Sequence, residues 1–349
     1  MKHLKKYIFL LLSIVLWGAC SDDDSPVYNF QAAPELEPLV SPAFVLNESS
    51  QNFIAETFSW TKGNYGFQAA PLYILEVDND KEFPDPIILG ESTRPYVPVY
   101  VGKMNTAALI LGAEAGSAHN LYARIQAQLT PDVSVYSDPI DFTVTPYASV
   151  IEYPTLYVPG SYQGWDIANA PVLTSTRMNN KYEGYLNLVM ENNPNDAVAF
   201  KLTTKPAWGQ GIEYGAGSGP GKLAEKGGDI SISPQGYYLL KVDLNTLTYT
   251  ATKINTVSIY GSATGEPSAD IMLTPTPSGT WTSTATLQAG SFHFRINQSE
   301  DIRYSDTNND GIIENQSSAE IPIPQAGEYT ITLSLDKAPY SYQLTPVSL

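Results

Sequence analysis

Cysteine is almost missing from this chain: Cys20 is the single one in 349 residues. No disulfide framework holds the fold, and a cysteine-based metal centre is excluded. Histidine is nearly as scarce, with three in all, of which only His119 and His293 lie beyond residue 20. They sit far apart in sequence, and neither HExxH nor GxSxG occurs, so zinc hydrolysis and Ser-His-Asp chemistry find no residues to use. Basic residues are outnumbered, 19 Lys+Arg against 36 Asp+Glu, for a net charge of −17. Such a chain lacks the basic surface through which nucleic-acid binders displace counterions. With only 16% charged residues it is poor in the material of long charged helices, whereas 23 Tyr, 26 Pro and 25 Gly suit many short strands joined by turns. GAGSGPGK (215–222) has no Ser or Thr after its lysine and no helical pattern behind it, so it reads as a surface loop and no cofactor is expected.

A long apolar run is also lacking. Residues 7–17 are apolar, too few for the ~20 that span a bilayer. They follow Lys2, Lys5 and Lys6 and lead through Gly18 and Ala19 into Cys20, after which comes Ser21-Asp22-Asp23-Asp24. Basic start, short apolar stretch and small residues before a cysteine make a secretory signal that resembles those of bacterial lipoproteins. Trp17 departs from that pattern, in which leucine is usual three residues before the cysteine. The expectation is a signal peptide over 1–20 with Cys20 lipidated. Acyl chains supply ~0.8 kcal/mol per buried CH₂, and several together anchor stably.

Residues 21–33 read as a tether. Beyond them TFSWT (57–61), LYILEVDND (72–80), LYARIQAQL (121–129) and DFTVTPY (141–147) alternate apolar and polar, and no stretch shows a helical period. Residues 34–148 are therefore expected to form a sandwich of immunoglobulin or fibronectin type, with 148–154 as a linker. The remainder repeats itself. Gly160-Ser161 recurs as Gly261-Ser262, and Phe200-Lys201-Leu202 as Phe294-Arg295-Ile296. Gly236, Leu244 and Tyr249 recur as Gly327, Leu335 and Tyr340, with hairpin turns expected near Asn245-Thr246 and Asp336-Lys337. The fold class predicted is all-β, in tandem β-sandwiches, with modules at 154–254 and 255–349.

The first repeat carries the candidate site. GSYQGWD (160–166) places Trp165 in a turn after a strand, and KPAWGQG (205–211) places Trp208 in a Pro/Gly-rich loop. Alternation sends Phe200 inward and Lys201 to the opposite face. Two loop tryptophans and a strand-borne lysine make a sugar-binding set: pyranose C–H faces stack on indole, and the ammonium donates to hydroxyls. In the second repeat Glu266 stands where Trp165 stands, and no tryptophan follows Arg295. Arg295 keeps the cation, Arg303 and Tyr304 are expected to offer one stacking surface, and Trp281 is expected in the core. This module is expected to bind more weakly or not at all. In DTNNDGII (306–313) Asp306, Asn308, Asp310 and Gly311 have calcium-loop spacing, but Ser317 holds the twelfth position and no helices flank it. An ordinary Asn/Asp turn is the favoured reading, weak calcium binding the other; no metal site is predicted.

GSYQGW, then Phe-Lys, then a loop tryptophan resemble the glycogen- and starch-binding modules, a resemblance that places glucan stacking on Trp165 and Trp208 and hydroxyl bonding on Lys201, with Gln163 and Lys205 in support. The lipoprotein signal, SWTKGNYGFQAAPLYILEVDND (59–80) and two such modules after the first domain together resemble the SusE/SusF-type lipoproteins of Bacteroidetes starch-utilisation systems, nearer SusE in module count. The resemblance implies a non-catalytic, lipid-anchored protein on the outer face of the outer membrane that binds starch or maltooligosaccharide. Its implied partners are a TonB-dependent transporter and a SusD-like lipoprotein. The alternative is a structural or adhesive surface lipoprotein without glycan binding.

Overall fold

A computed structural model describes residues 28–265, 267–276 and 279–347. The expected signal peptide, Cys20 and most of the expected tether lie outside the described residues. Strands make up 49% and helix 7% of the structure, in tandem β-sandwiches. No helix among the described residues is long and apolar enough to cross a membrane.

In the first sandwich one sheet runs Ala43–Val45, Ile140–Thr145, His119–Thr130, Leu72–Asp78, Ile87–Ser92, and the other runs Glu35–Leu36, Ile54–Thr61, Tyr96–Tyr100. Leu72–Asp78 is an inner strand buried along almost its whole length, while the central His119–Thr130 alternates buried and half-exposed positions. Phe58 from the smaller sheet meets Phe142 from the larger edge-on, with centroids 6.0 Å apart, and Trp60 meets Tyr73 at 5.3 Å.

A helix, Val101–Ile110, is present although no stretch of the sequence shows a helical period. It starts directly from the strand Tyr96–Tyr100 with no side-chain cap, and its buried residues include the small Ala107 and Ala108. Its apolar side is blurred by Asn105, which is fully buried. The Asn105 amide donates to the Tyr147 carbonyl (3.1 Å) and accepts from the Tyr147 N–H (2.8 Å), tying the helix to the outgoing chain. Residues 146–154 then run without regular structure.

The second sandwich is built on Thr155–Tyr157, Val172–Thr174, Lys181–Leu188, Gly236–Asp243 and Thr248–Ile254, paired in that order, with shorter strands continuing beyond Thr155–Tyr157. The third repeats the plan with Val257–Tyr260, Ile271–Pro275, Thr280–Leu287, Gly327–Ser334 and Tyr340–Pro346. Here Val257–Tyr260 also pairs with Gly290–Ile296, so the sheet closes on itself. The turn after Asp243 is set by its carboxylate, which accepts from the Asn245 N–H at 2.9 Å.

The sandwiches are joined through side chains as well as chain. Asn179 donates to the Asp85 carboxylate (2.9 Å) and the Pro86 carbonyl (3.2 Å) of the first sandwich. Tyr185, Leu239 and Ile254 of the second belong to the core of the third. Tyr237 meets Trp281 with centroids 5.4 Å apart, so the buried Trp281 lies at the seam between the two repeats.

Candidate functional site

Trp165 stands on a turn whose backbone is held out of the ordinary. After Gly160 the chain makes one 3-10 turn, Ser161–Gln163, and then passes through Gly164 at φ 71° and Trp165 at φ 63°. Glycine tolerates that region; an L side chain there costs about 1–2 kcal/mol. The Trp165 N–H closes the turn on the Gly160 carbonyl at 2.9 Å. Gly160 itself is pressed against the neighbouring strand: a Cβ there would lie 2.6 Å from the Ala199 carbonyl oxygen. The Ser161 hydroxyl accepts from the Ala199 N–H at 3.0 Å. Both ends of the Gln163 amide are engaged by Asp166, accepting from its N–H (2.6 Å) and donating to its carbonyl (2.8 Å). Gln163, expected in support of the sugar site, thus also braces the Trp165 turn.

Trp208 projects from the loop between Leu202–Thr203 and Glu213–Ala216 and is 42% exposed. The loop is cross-tied at its base, Thr204 N–H to the Ile212 carbonyl (3.1 Å), and near its tip, Gly209 N–H to the Glu213 carboxylate (2.8 Å). These two turns bring the indoles together: their centroids are 6.3 Å apart, with the planes inclined at 47°. Trp165 is half-buried and Trp208 exposed. Ile212, also exposed, adds an apolar surface to the same loop. Its signal in the sequence is an isolated aliphatic residue in a Gly/Gln run.

Phe200 is fully buried and Lys201 turns to the other face, as alternation requires. The Lys201 ammonium donates to the Gly227 carbonyl at 2.6 Å and lies 3.6 Å from the Asp229 carboxylate. Two partners leave one N–H of the three for a ligand. Lys205 is exposed on the Trp208 loop and forms no salt bridge among the described residues.

The second repeat differs. Arg295 grips Asp270 through Nε (2.7 Å) and Nη2 (2.5 Å) and reaches Glu300 at 2.9 Å. Its guanidinium lies 3.9 Å over the Tyr260 ring, covering that face. His293 sits between Glu320 (3.1 Å) and Glu300 (3.2 Å), and Arg303 pairs with Glu320 at 3.0 Å. The Arg295 hydrogen bonds hold the Asp270 carboxyl down to about 2. Desolvation works against ionisation of Glu300, but hydrogen bonds from Arg295 and His293 prevail and hold its carboxyl low. Glu266 falls outside the described residues.

The expectation that Arg303 and Tyr304 share one surface is corrected. They are neighbours on the strand Ser299–Ser305 and so project to opposite faces. Tyr304 is 1% exposed and packs at the seam, its centroid 5.8 Å from that of Tyr340. The 306–313 loop is an Asx-type turn: the buried Asp306 carboxylate accepts from the N–H groups of Asn308, Asp310 and Gly311 and from the Tyr342 hydroxyl.

Residues 21–126, under a third of the chain, match the model of the SusE outer membrane protein family. The resemblance read from the first domain is thus carried by the segment that contains residues 59–80. Among solved structures, SusF from Bacteroides thetaiotaomicron is similar at 12% identity and a TM-score of 0.27, over 90% of this chain and 77% of that one. A comparison with curated proteins gave no match.

Proposed function

We propose that this chain is a non-catalytic glycan-binding lipoprotein of the outer membrane surface, anchored through Cys20, with Trp165 and Trp208 as its stacking platform. The observation that carries the reading is the contact between two incompletely buried indoles on braced turns. A large aromatic ring held at positive φ has no packing need for that backbone, and strain of this kind is retained where a side chain must be aimed. Two planes inclined at 47° suit successive sugar rings of a chain that turns, as an α-linked glucan does, better than a flat one. Lys205 and the remaining N–H of Lys201 supply donors to sugar hydroxyls. The family match supports the surface location, and starch or maltooligosaccharide is the favoured ligand through that kinship.

Two rings and a few hydrogen bonds to a hydrated polymer give a Kd on the order of 10 μM to 1 mM. Many anchored copies on one polymer raise the effective concentration. A TonB-dependent transporter and a SusD-like lipoprotein are the partners this reading calls for. Electrophoresis in gels containing starch, glycogen, xylan or pectin tests it. Retardation lost in Trp165→Ala or Trp208→Ala supports stacking on these rings. Unchanged mobility of the parent in every glycan leaves a structural or adhesive role, and release of reducing ends would mark a hydrolase.

A further inference from the structure

A cleft of about 1050 Å³ opens where the three sandwiches meet. Its separation is fixed by the two joints, Asn179 on Asp85 at one side and Tyr185 on Tyr304 at the other. Tyr153, Tyr182 and Tyr249, each half-buried, line it. On its wall the Thr174 hydroxyl, in a residue 1% exposed, and the Nη1 of Arg177 are buried without hydrogen-bond partners. Unpaired buried polar atoms are few in folded proteins, and a pair of them on one cleft wall marks a place where polar company is missing.

The chemistry of the lining selects a ligand. Six carboxylates against three cations among the lining residues disfavour an anion. The cations are already opposed by acids, Lys241 by Glu183 at 3.3 Å and Arg177 by Asp85 at 3.6 Å, so both acceptors and donors are presented without a strong local charge. Hydroxyl groups donate and accept alike, and sugar C–H faces lie well on tyrosine rings. We propose that this cleft is a second binding site, for a neutral oligosaccharide, separate from the tryptophan pair. It rests on the reading that the chain binds glycans, and its own outcome is separable.

Calorimetric titration of the chain from Ser21 with malto-, cello- and xylo-hexasaccharides tests it. Trp165→Ala/Trp208→Ala is expected to retain a binding step, and adding Tyr153→Ala/Lys241→Ser to weaken that step by about tenfold or more. Tyr153 is in irregular backbone and Lys241 is 42% exposed, so neither change empties a core. Complete loss of binding in the tryptophan variant, with Tyr153→Ala/Lys241→Ser titrating like the parent, overturns the cleft and leaves the first site standing. A binding step that the added Tyr153→Ala/Lys241→Ser leaves undiminished also overturns it. No binding by the parent overturns both readings. Hydrogen exchange on the unsubstituted chain gives a second readout: saturating hexasaccharide should slow exchange over 174–182 and 248–250, and protection confined to 160–166 and 203–212 rejects the cleft.

Discussion

The hydroxyl of Tyr185 donates to the hydroxyl of Tyr304 at 3.1 Å, across the boundary between the two repeats. Around that bond Tyr237, Trp281 and Tyr340 pack ring against ring, and burial pushes the Tyr185, Tyr304 and Tyr340 hydroxyls well above their ordinary range. The repeats share a core, so they should unfold as one unit. Calorimetry is expected to show a single transition for residues 154–347. Tyr304→Ala should lower stability by about 3–5 kcal/mol through the cavity left, and Tyr304→Phe by about 1 kcal/mol through the lost hydrogen bond. Two separate transitions in the parent would show that the seam couples nothing.

The same burial fixes an alkaline limit. Folded tyrosines at the seam keep their protons while unfolded ones release them near pH 10. The stabilisation is complete below pH 10 and falls as pH rises beyond it. Urea titrations from pH 8 to 11 should show that decline, and it should be shallower in a Tyr185→Phe/Tyr304→Phe chain.

Asp270 carries the opposite dependence. Its folded carboxyl stands at about 2, held by Arg295, against an unfolded value near 3.9. A depressed acid stabilises above its unfolded value and loses that contribution as pH falls toward its folded one, here roughly 2 kcal/mol between about pH 4 and pH 2. Asp270→Asn should remove this acid limb while also lowering stability at pH 7. An unchanged acid limb in that variant would detach Asp270 from it.

How much of this was legible in sequence depends on the residue. The tryptophan pair was readable because each ring stands among Gly, Pro and Gln, where no core needs it. The repeat was readable because the hairpins that build its second half keep a constant spacing. Tyr304 occupies an inward strand position, and only parity along Ser299–Ser305 distinguishes it from the outward Arg303, a distinction the residue types alone do not make. The helix was missed because small residues and a buried Asn105 erase its apolar stripe. The engagement of two of the three Lys201 donors by Gly227 and Asp229 depends on a contact between segments 26 residues apart, which no local pattern announces.

Gln163 offers a test of positioning against contact. Its amide is used on both sides by Asp166, so Gln163→Ala should loosen the Trp165 turn and weaken glycan binding several-fold without touching the ligand. In a chain already carrying Trp165→Ala the same change should do nothing further, because there is no ring left to aim. Equal losses in both backgrounds would make Gln163 a ligand contact in its own right.

Trp165 itself separates function from stability. At φ 63° the tryptophan bears strain of about 1–2 kcal/mol that glycine would not, while glycine adds unfolded-state entropy of about 0.5–1 kcal/mol. The two effects oppose each other, and the half-buried ring contributes some packing on Trp208. Trp165→Gly should therefore melt close to the parent, within about 1 kcal/mol, yet lose most of its retardation in the glycan gel. Trp165→Ala keeps the strain and loses the ring, so it should be the less stable of the two and equally poor at binding. If Trp165→Gly were instead to destabilise by several kcal/mol, the ring would be serving the fold, and the strained turn would need another explanation.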